Sequence, residues 1–569
     1  MRIRDARAGE AAELTALVLR SKRSWGYDDA FMAACRAELT IAPGEVAARR
    51  IVVAEDTAGA RDVLGVASLE GSAPEGRLGL LFVEPRANGR GVGSALYAHV
   101  LTTARGLGFT RLLIESDPHA VPFYRHLGAR RCDGEGRALP LLGVSLAPAG
   151  WPEAWTGGRR TVHLGNAGEF QGQFGPLPKG VRGGADHYSC LAAFTGPHPA
   201  ALVLPRTVPP FWIELVARRL AWGQVEVFDG LDEPDGTAAA VLRRPALAGH
   251  LRGLGLPLVA WGQTRAVAEL TGGPWSPDVL RYESKRAANE LFARLAPDHP
   301  GVRVPAQWPA ATRRAAARLL GARLRSGAAT VVKTEHGAGG SGTRVVTSGR
   351  ARAALRTLPH GPLLLEEYLA GGGVPGDLTY DGFVDAAGEV HDVGAAVMDV
   401  RDAGYRGATV GPGVVPAELA GPCLRFGRAV GREVAATGYR GWFDVDFVTG
   451  PDGRPAPTEI NLRLTGPAVA FMVQARLDAV RGGGHLVRTI DRVPLGARLP
   501  ERELAAWLGE LSARCAGVEA LLVPSIPTAA FEPDPYVGVV LAARTRERLD
   551  AADALVGAAA AELGAMFTS

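Results

Sequence analysis

Two periodicities of apolar and polar positions run through the chain, and they mark its elements. Residues 1–4 have strand character, and Ala11, Leu14, Leu17 and Val18 then fall at helical spacing within residues 7–21. Strand patterns follow at residues 51–55, 63–70 and 77–83. The segment EPRANGRGVG, residues 84–93, leads from the last of these into a helix through Ser94, Ala95, Leu96, Tyr97 and Val100. A composition break, APAGWPEAWTGG, occupies residues 147–158. Beyond it, strands at 161–164, 201–204, 225–227 and 256–260 alternate with helical segments such as 210–220. That alternation predicts an open α/β sheet.

In the second half, Glu283, Ser284 and Lys285 open a helix through Ala288, Leu291, Phe292 and Leu295. Residues 329–333 form a strand ending in Lys333, followed by the loop TEHGAGGSG at 334–342 and a strand at 343–347. LLLEEYL, residues 363–369, reads as a strand entering a linker, and GDLTYDGFV, residues 376–384, as a further strand. Residues 398–412, MDVRDAGYRGATVGP, are expected as a loop; its Arg401, Tyr405 and Arg406 suit either a substrate carboxylate or a plain basic surface. The tail predicts a linker and helix at 492–513, strands at 519–523 and 538–543, and a helix at 545–563.

The strongest pattern is GWFDVDFVTGPDGRPAPTEINLRLTG, residues 441–466, two strands about a turn of Gly, Pro and Asp. Asp444 and Asp446 share one face of the first strand, with Phe443, Val445 and Phe447 opposite. Glu459, Asn461 and Arg463 share one face of the second, with Ile460, Leu462 and Leu464 opposite. Antiparallel pairing would merge the polar faces into an oxygen-rich patch edged by a guanidinium. Such a patch suits Mg²⁺ shared with substrate phosphates. It equally suits a half-buried hairpin with one wet face.

Composition narrows the class. A chain of 569 residues exceeds a single core, and three or four domains are expected, about one per 150 residues. A hydrophobic fraction of 47% and a net charge of +4, with no basic block, describe a globular protein without a nucleic-acid footprint. No apolar run is long enough to span a bilayer, and the first residues lack a signal core, so a cytoplasmic location away from membranes is expected. The five cysteines are scattered without C-x-x-C spacing, which predicts reduced thiols and no zinc site. Lysine occurs only at Lys22, Lys179, Lys285 and Lys333, while arginine carries the other side-chain positive charges. In such a background, Lys285 and Lys333 read as positions that want a compact ammonium.

The glycines of residues 84–93, between a strand and a helix, expose successive backbone N–H groups at the helix's positive end, an anion cradle or a generic helix start. With SKRSWGYDDAFM, LLFVEPRANGRGVGSAL and IESDPHAVPFYRHLGAR around them, residues 1–148 resemble the GNAT acyltransferases. The resemblance implies that amides of Arg90, Gly91, Val92 and Gly93 hold the pyrophosphate of acetyl-CoA, and that Phe82 and Val83 lie beside its pantetheine arm. It implies Tyr124 as the acid for the leaving thiolate, with packing as its alternative. Asn88 departs from the family's usual Gln or Arg. The general base is left open between Glu70, Glu84, Glu115 and a water.

The motif order of the second half resembles the ATP-grasp ligases, and residues 160–569 are most similar to peptide ligases of pheganomycin-type biosynthesis. The implied fold is α/β and α+β multidomain: GNAT domain at 1–148, Rossmann-like pre-ATP-grasp domain at 149–280, ATP-grasp core at 281–490 and a C-terminal cap at 491–569. Lys285 and Lys333 would contact ATP, with Gly339, Gly340, Ser341 and Gly342 over its phosphates. Glu366, Glu367, Tyr368 and Leu369 would form the adenine hinge, read largely through backbone groups, and Asp377 would meet the ribose. Asp446, Glu459 and Asn461 would hold Mg²⁺, while Asp444 is not assigned to metal. Arg463 would neutralise the transferring phosphoryl group.

These implications describe a bifunctional enzyme: an ADP-forming carboxylate–amine ligase working through an acyl phosphate, joined to an acetyl-CoA-dependent N-acetyltransferase. Its expected partners are small amino-acid or peptide substrates, and a homodimer is admitted. Two alternatives stand beside it. In one the GNAT domain only binds acyl-CoA as a regulatory or docking module; in the other the ATP-dependent core is a kinase.

Overall fold

The computed structural model describes the chain apart from residues 57–61, 128, 133–138, 147–149, 338–341, 349–352, 354, 357, 359–360, 370–375, 402 and 567–569. The expected loop residues Gly339, Gly340 and Ser341 therefore lie outside the described residues. Two compact units are present: residues 1–150 with 213–225 and 475–484, and the remainder.

The first unit is built on one seven-stranded sheet, in the order Arg2–Asp5, Ile51–Glu55, Val63–Ser72, Glu75–Val83, Arg111–Glu115, Leu141–Ser145, Arg130–Arg131. Period-two alternation divides its side chains between two helices. Ile51, Val53, Val66 and Leu80 pack with Leu14, Leu17 and Val18 of the helix Ala11–Arg23. Val52, Ala54, Leu64 and Ala67 pack on the other face with Leu96, Val100 and Leu101 of the helix Val92–Gly106. Glu75–Val83 and Arg111–Glu115 are parallel, and they pair only at Glu75, Gly76 and Arg77. From Leu78 onward the two strands part.

The second unit holds three sheets among the described residues. One is a parallel four-stranded sheet of Glu226–Phe228, Pro199–Val203, Thr161–Leu164 and Leu258–Ala260. This is the expected open α/β layer. The second is antiparallel: Gln307–Ala310, Leu363–Glu367, Thr330–Thr334, Thr343–Val346. The third has eight antiparallel strands, in the order Pro455–Asn461, Gly441–Thr449, Asp377–Val384, Val390–Arg401, Gly404–Val410, Leu486–Pro494, Tyr536–Ala543, Leu521–Ile526.

The hairpin at 441–466 folds as its alternation predicts. Phe443, Val445, Phe447, Ile460 and Leu462 enter a core with Phe292, Phe426, Val430 and Val434 of the helices Lys285–Leu295 and Ala417–Ala436. Their polar neighbours are thereby turned to the other face.

Two expectations are corrected. Residues 398–412 are not a loop: the strands Val390–Arg401 and Gly404–Val410 pair through Val397↔Thr409 and Met398↔Ala408. The exposed Arg401 and Arg406 and the buried Gly407 masked the alternation there. The linker expected after residue 491 is partly strand, because Leu486–Pro494 pairs with Tyr536–Ala543 in the eight-stranded sheet.

Candidate functional site

In the first unit, the parting of the two parallel strands opens a cleft of about 1900 Å³. Phe82 and Val83 pair with Val66 and Gly65 on one side only. The opposite edge of residues 78–83 is left without a strand partner beside the cleft, and an unpaired edge offers N–H and C=O groups to an extended ligand. At the head of the cleft, Gly89 and Gly91 take left-handed φ of 77° and 79°, which residues with a Cβ adopt at a cost. That conformation carries the chain into the helix Val92–Gly106, whose first N–H groups are the natural seat for an anion. Arg90, Gly91, Val92 and Gly93 all line the cleft.

Tyr124, on the helix Val121–His126, lines the same cleft but is 6% exposed, packed against Tyr97 and Phe123. Burial pushes its hydroxyl above the usual phenol range, so it carries its proton as a donor requires. Of the candidate bases, Glu70 and Glu115 line the cleft. Glu70 takes hydrogen bonds from Arg49 and Ser68, each at 2.8 Å. Gly79 gives it room: a Cβ there would lie 1.9 Å from its Oε1. Glu84 is instead paired with Arg20 at 2.8 Å.

The second unit contains a cavity of about 510 Å³ between its sheets. It is lined by Lys285, Lys333, Glu366, Asp377, Asp446, Glu459, Asn461 and Arg463, residues from six separate stretches of chain. Each cation is clasped by a carboxylate. Lys333 Nζ reaches Glu366 Oε1 at 2.7 Å, both side chains under 10% exposed, and Thr458 O at 3.4 Å. Lys285 Nζ reaches Glu459 Oε2 at 2.7 Å and Gly337 O at 3.2 Å, touching the start of the glycine loop. Arg463 Nη1 donates to both oxygens of Glu283 at 2.8 Å, and Glu283 also accepts from the Leu462 N–H.

Local sequence explains the placement. Ser284 caps the helix Lys285–Leu295 by accepting from the Ala287 N–H, and its hydroxyl donates to Glu335 at 2.7 Å. The Lys285 N–H donates to Glu335 O at 3.0 Å. The base of the glycine loop is closed by Thr334 N–H donating to Gly342 O at 2.9 Å. Gly342 has φ of 81°, and a Cβ there would lie 2.2 Å from the Thr334 hydroxyl.

Register places Asp446 opposite Glu459 and Asp444 opposite Asn461. The Asn461 amide donates to Asp444 Oδ1 at 2.7 Å and to Asp446 Oδ2 at 3.2 Å. Thr465 donates to the other oxygen of Asp444 at 2.6 Å, so protein donors occupy both of its oxygens. Burial, then the neighbours Asp444, Glu459 and Asp381, push the Asp446 carboxyl well up. Burial would also raise Glu459, but Lys285 and Lys333 outweigh it and hold the carboxyl down to about 2.

No group of three or more His, Cys, Asp or Glu among the described residues is arranged to hold a metal ion. Two carboxylates and an amide nevertheless fit a hard cation that completes its shell with water and phosphate oxygens. All four residues of the expected hinge line the cavity. Glu366 turns its carboxylate to Lys333, while Glu367 pairs with Arg303 and donates its N–H to Ala306 O at 2.8 Å. Tyr368 and Leu369 follow the strand and line the cavity. Asp377 lines it too, its carboxyl raised by burial and then by Asp399. Arg401 pairs with Asp399, whereas Tyr405 lines the cavity.

Sequence reasoning missed Glu283, Tyr188 and Asp491. Glu283 stood in the quoted ESK start, but only the fold shows that it faces Arg463. Tyr188 and Asp491 carry no motif.

A splayed parallel strand pair with a glycine-led helix at its head defines the first unit as an α/β fold with a cleft suited to an anion. Residues 18–129 match the model of the acetyltransferase (GNAT) family, and the first unit carries a GNAT domain. Among solved structures, this region is similar to the paia N-acetyltransferase of Thermoplasma acidophilum in complex with coenzyme A. That match has 14% identity and a TM-score of 0.23, covering 25% of this chain and 98% of the other. The remainder is similar to carboxyaminoimidazole ribonucleotide synthase of Aspergillus clavatus complexed with ATP, at 13% identity and a TM-score of 0.44, over 71% of this chain and 99% of that one. Biotin carboxylase of Campylobacter jejuni is similar at 13% identity and a TM-score of 0.41, over 69% and 89% of the respective chains. None of the curated proteins matches the sequence. No helix among the described residues is long and apolar enough to cross a membrane.

Proposed function

We propose that the protein has two active sites: an ATP-grasp site for ADP-forming carboxylate–amine ligation in the second unit, and an acetyl-CoA-dependent N-acetyltransferase site in the GNAT domain. The observation that carries the ligase reading is the ring of cations around one cavity. Lys285, Lys333 and Arg463 are each clasped by a carboxylate and stand beside the Asp446–Glu459 pair.

A carboxylate and a triphosphate repel one another until positive charge intervenes. In this reading ATP supplies the phosphoryl group that activates the carboxylate as an acyl phosphate, and Mg²⁺ supplies charge neutralisation between phosphate oxygens. Asp446, Glu459 and Asn461 would hold the metal. Lys333 orients phosphate from the strand below the glycine loop, while Lys285 ties that loop to Glu459. Arg463, fixed by Glu283, neutralises charge on the oxygens of the transferring group. Glu366, Glu367, Tyr368 and Leu369 would receive the base, largely through backbone groups, and Asp377 the ribose, while Gly339, Gly340, Ser341 and Gly342 would, as the resemblance implies, keep water from the phosphates.

In the GNAT domain, Arg90, Gly91, Val92 and Gly93 would hold the pyrophosphate, and the free edge at Phe82 and Val83 the pantetheine arm. The acetyl group comes from acetyl-CoA when it is bound. Tyr124 donates a proton to the departing thiolate, and Glu70 or Glu115 takes one from the amine. We place the pair of activities in small-peptide or natural-product biosynthesis, as the pheganomycin-type resemblance suggests.

A mass-spectrometric product screen tests this, with the full chain incubated with ATP, Mg²⁺, acetyl-CoA and mixtures of amino acids and short peptides. Amide products with equimolar ADP and N-acetylated products are expected. A phosphorylated substrate without amide would replace the ligase by a kinase. Absence of acetyl transfer to any amine would leave the GNAT domain a binding module.

A further inference from the structure

Among the residues that line the second unit's cavity without a part in the nucleotide machinery are Tyr188, Trp261, Tyr405 and Asp491. They come from separate places in the fold. Tyr188 ends the helix Lys179–Tyr188, Trp261 follows the strand Leu258–Ala260, and Tyr405 lies on Gly404–Val410. Asp491 lies on Leu486–Pro494.

Asp491 owes its direction to a bulge. Pairing with Tyr536–Ala543 jumps from Ile490↔Val539 to Val493↔Val537, so residues 491 and 492 fall outside the regular ladder. Bulges re-aim side chains. Arg492 goes to Asp534 and lies over the Tyr536 ring at 4.3 Å, while Asp491 lines the cavity. The Tyr188 hydroxyl faces its carboxyl, which burial pushes up to about 7. Among the described residues, no Lys, Arg or His forms an ion pair with it.

The aromatic walls are firmly built. Tyr188 and Trp261 meet edge to face, with ring centroids 5.5 Å apart, and Trp261 is 2% exposed. The Tyr405 hydroxyl lies 3.4 Å from Thr489 Oγ1, and its ring packs so closely on Gly466 that a Cβ there would be 2.3 Å away. Asp491 is half-buried, and a carboxylate drawn out of water favours a positive partner, the kind of ion that aromatic faces also attract. The cavity's three cations, by contrast, are already matched with acids.

We propose that Tyr188, Trp261, Tyr405 and Asp491 form the subsite that receives the ligase's amine substrate as its ammonium ion. The assignment of that cation as substrate rests on the ligase reading; recognition of a cation does not. Asp491 supplies the counter-charge, the three rings supply cation–π faces, and the Tyr188 hydroxyl fixes the carboxylate. A neutral alcohol of the same shape lacks the charge that these groups recognise.

The test is calorimetric titration of the full chain with n-butylammonium and, separately, 1-butanol. Butylammonium binding at least tenfold tighter than butanol is expected, with Asp491→Asn abolishing the preference and Tyr188→Phe weakening it. Binding of a fluorescent ATP analogue to the Asp491→Asn protein should stay unchanged and reports that its cavity is folded. In the ADP-release assay, Asp491→Asn should raise the KM for amine at least tenfold. Equal affinity for butylammonium and butanol, or a preference that survives Asp491→Asn, overturns the proposal. If no amine elicits ADP release, the ligase reading fails, while the calorimetric preference still decides the subsite.

Discussion

Replacing Lys333 by Met removes the ammonium from a pair in which both partners are buried. Lys333 Nζ and Glu366 Oε1 are 2.7 Å apart, with side chains 8% and 3% exposed. The change leaves the Glu366 carboxylate with the Gln307 amide at 3.2 Å as its remaining side-chain partner among the described residues. A buried charge stripped of its counter-ion costs about 3–5 kcal/mol, whereas replacing both members by apolar side chains of similar volume is about neutral or even stabilising. Lys333→Met should therefore lower the unfolding free energy by about 3–5 kcal/mol. Lys333→Met/Glu366→Met should recover most of that loss. Urea unfolding of the full chain, followed by far-ultraviolet circular dichroism, reads both values. A single variant that loses less than about 1 kcal/mol would place the pair in solvent-exposed surroundings, in the range of surface ion pairs. A double variant as unstable as the single one would show that packing and not stranded charge is responsible.

Two further outcomes concern groups away from that pair. Tyr97 has a buried hydroxyl without a hydrogen-bond partner among the described residues, so Tyr97→Phe should stabilise the first unit by about 1 kcal/mol, read as a higher urea midpoint. Burial pushes His163 down from 6.5 to about 3, so the unfolded chain binds a proton over a pH range in which the folded chain does not. Its stability contribution is complete above pH 6.5, falls as pH drops below that value and is exhausted near pH 3. Each pH unit within the window costs about 1.4 kcal/mol, and His163→Asn should remove that part of the acid sensitivity in urea titrations between pH 7 and 5.

Much of this architecture was legible because period-two alternation and helix capping are local. The hairpin at 441–466 declared its two faces by spacing alone, and Ser284 announced the helix that carries Lys285. The site itself was legible only in part, because ion pairing across sheets is not written in spacing. Nothing local pairs Glu283 with Arg463, 180 residues apart. Asp491 was hidden by the bulge, since a strand read in regular alternation assigns it no particular direction. The hairpin of Val390–Arg401 and Gly404–Val410 escaped because its turn and polar positions suggest a loop until the sheet supplies its partners.

The central claim is that Glu459 and the cations around it serve ligation, independently of acetyl transfer in the GNAT domain. Glu459→Gln retains the side chain's shape and leaves Gly337 O as a partner for Lys285. The deciding measurement is amine-dependent ADP release by the full chain with Mg²⁺, beside acetyl-CoA consumption in the same preparation. The account predicts at least a hundredfold loss of ADP release in Glu459→Gln with acetyl-CoA consumption unchanged. ADP release that persists at the level of the unaltered protein would contradict it.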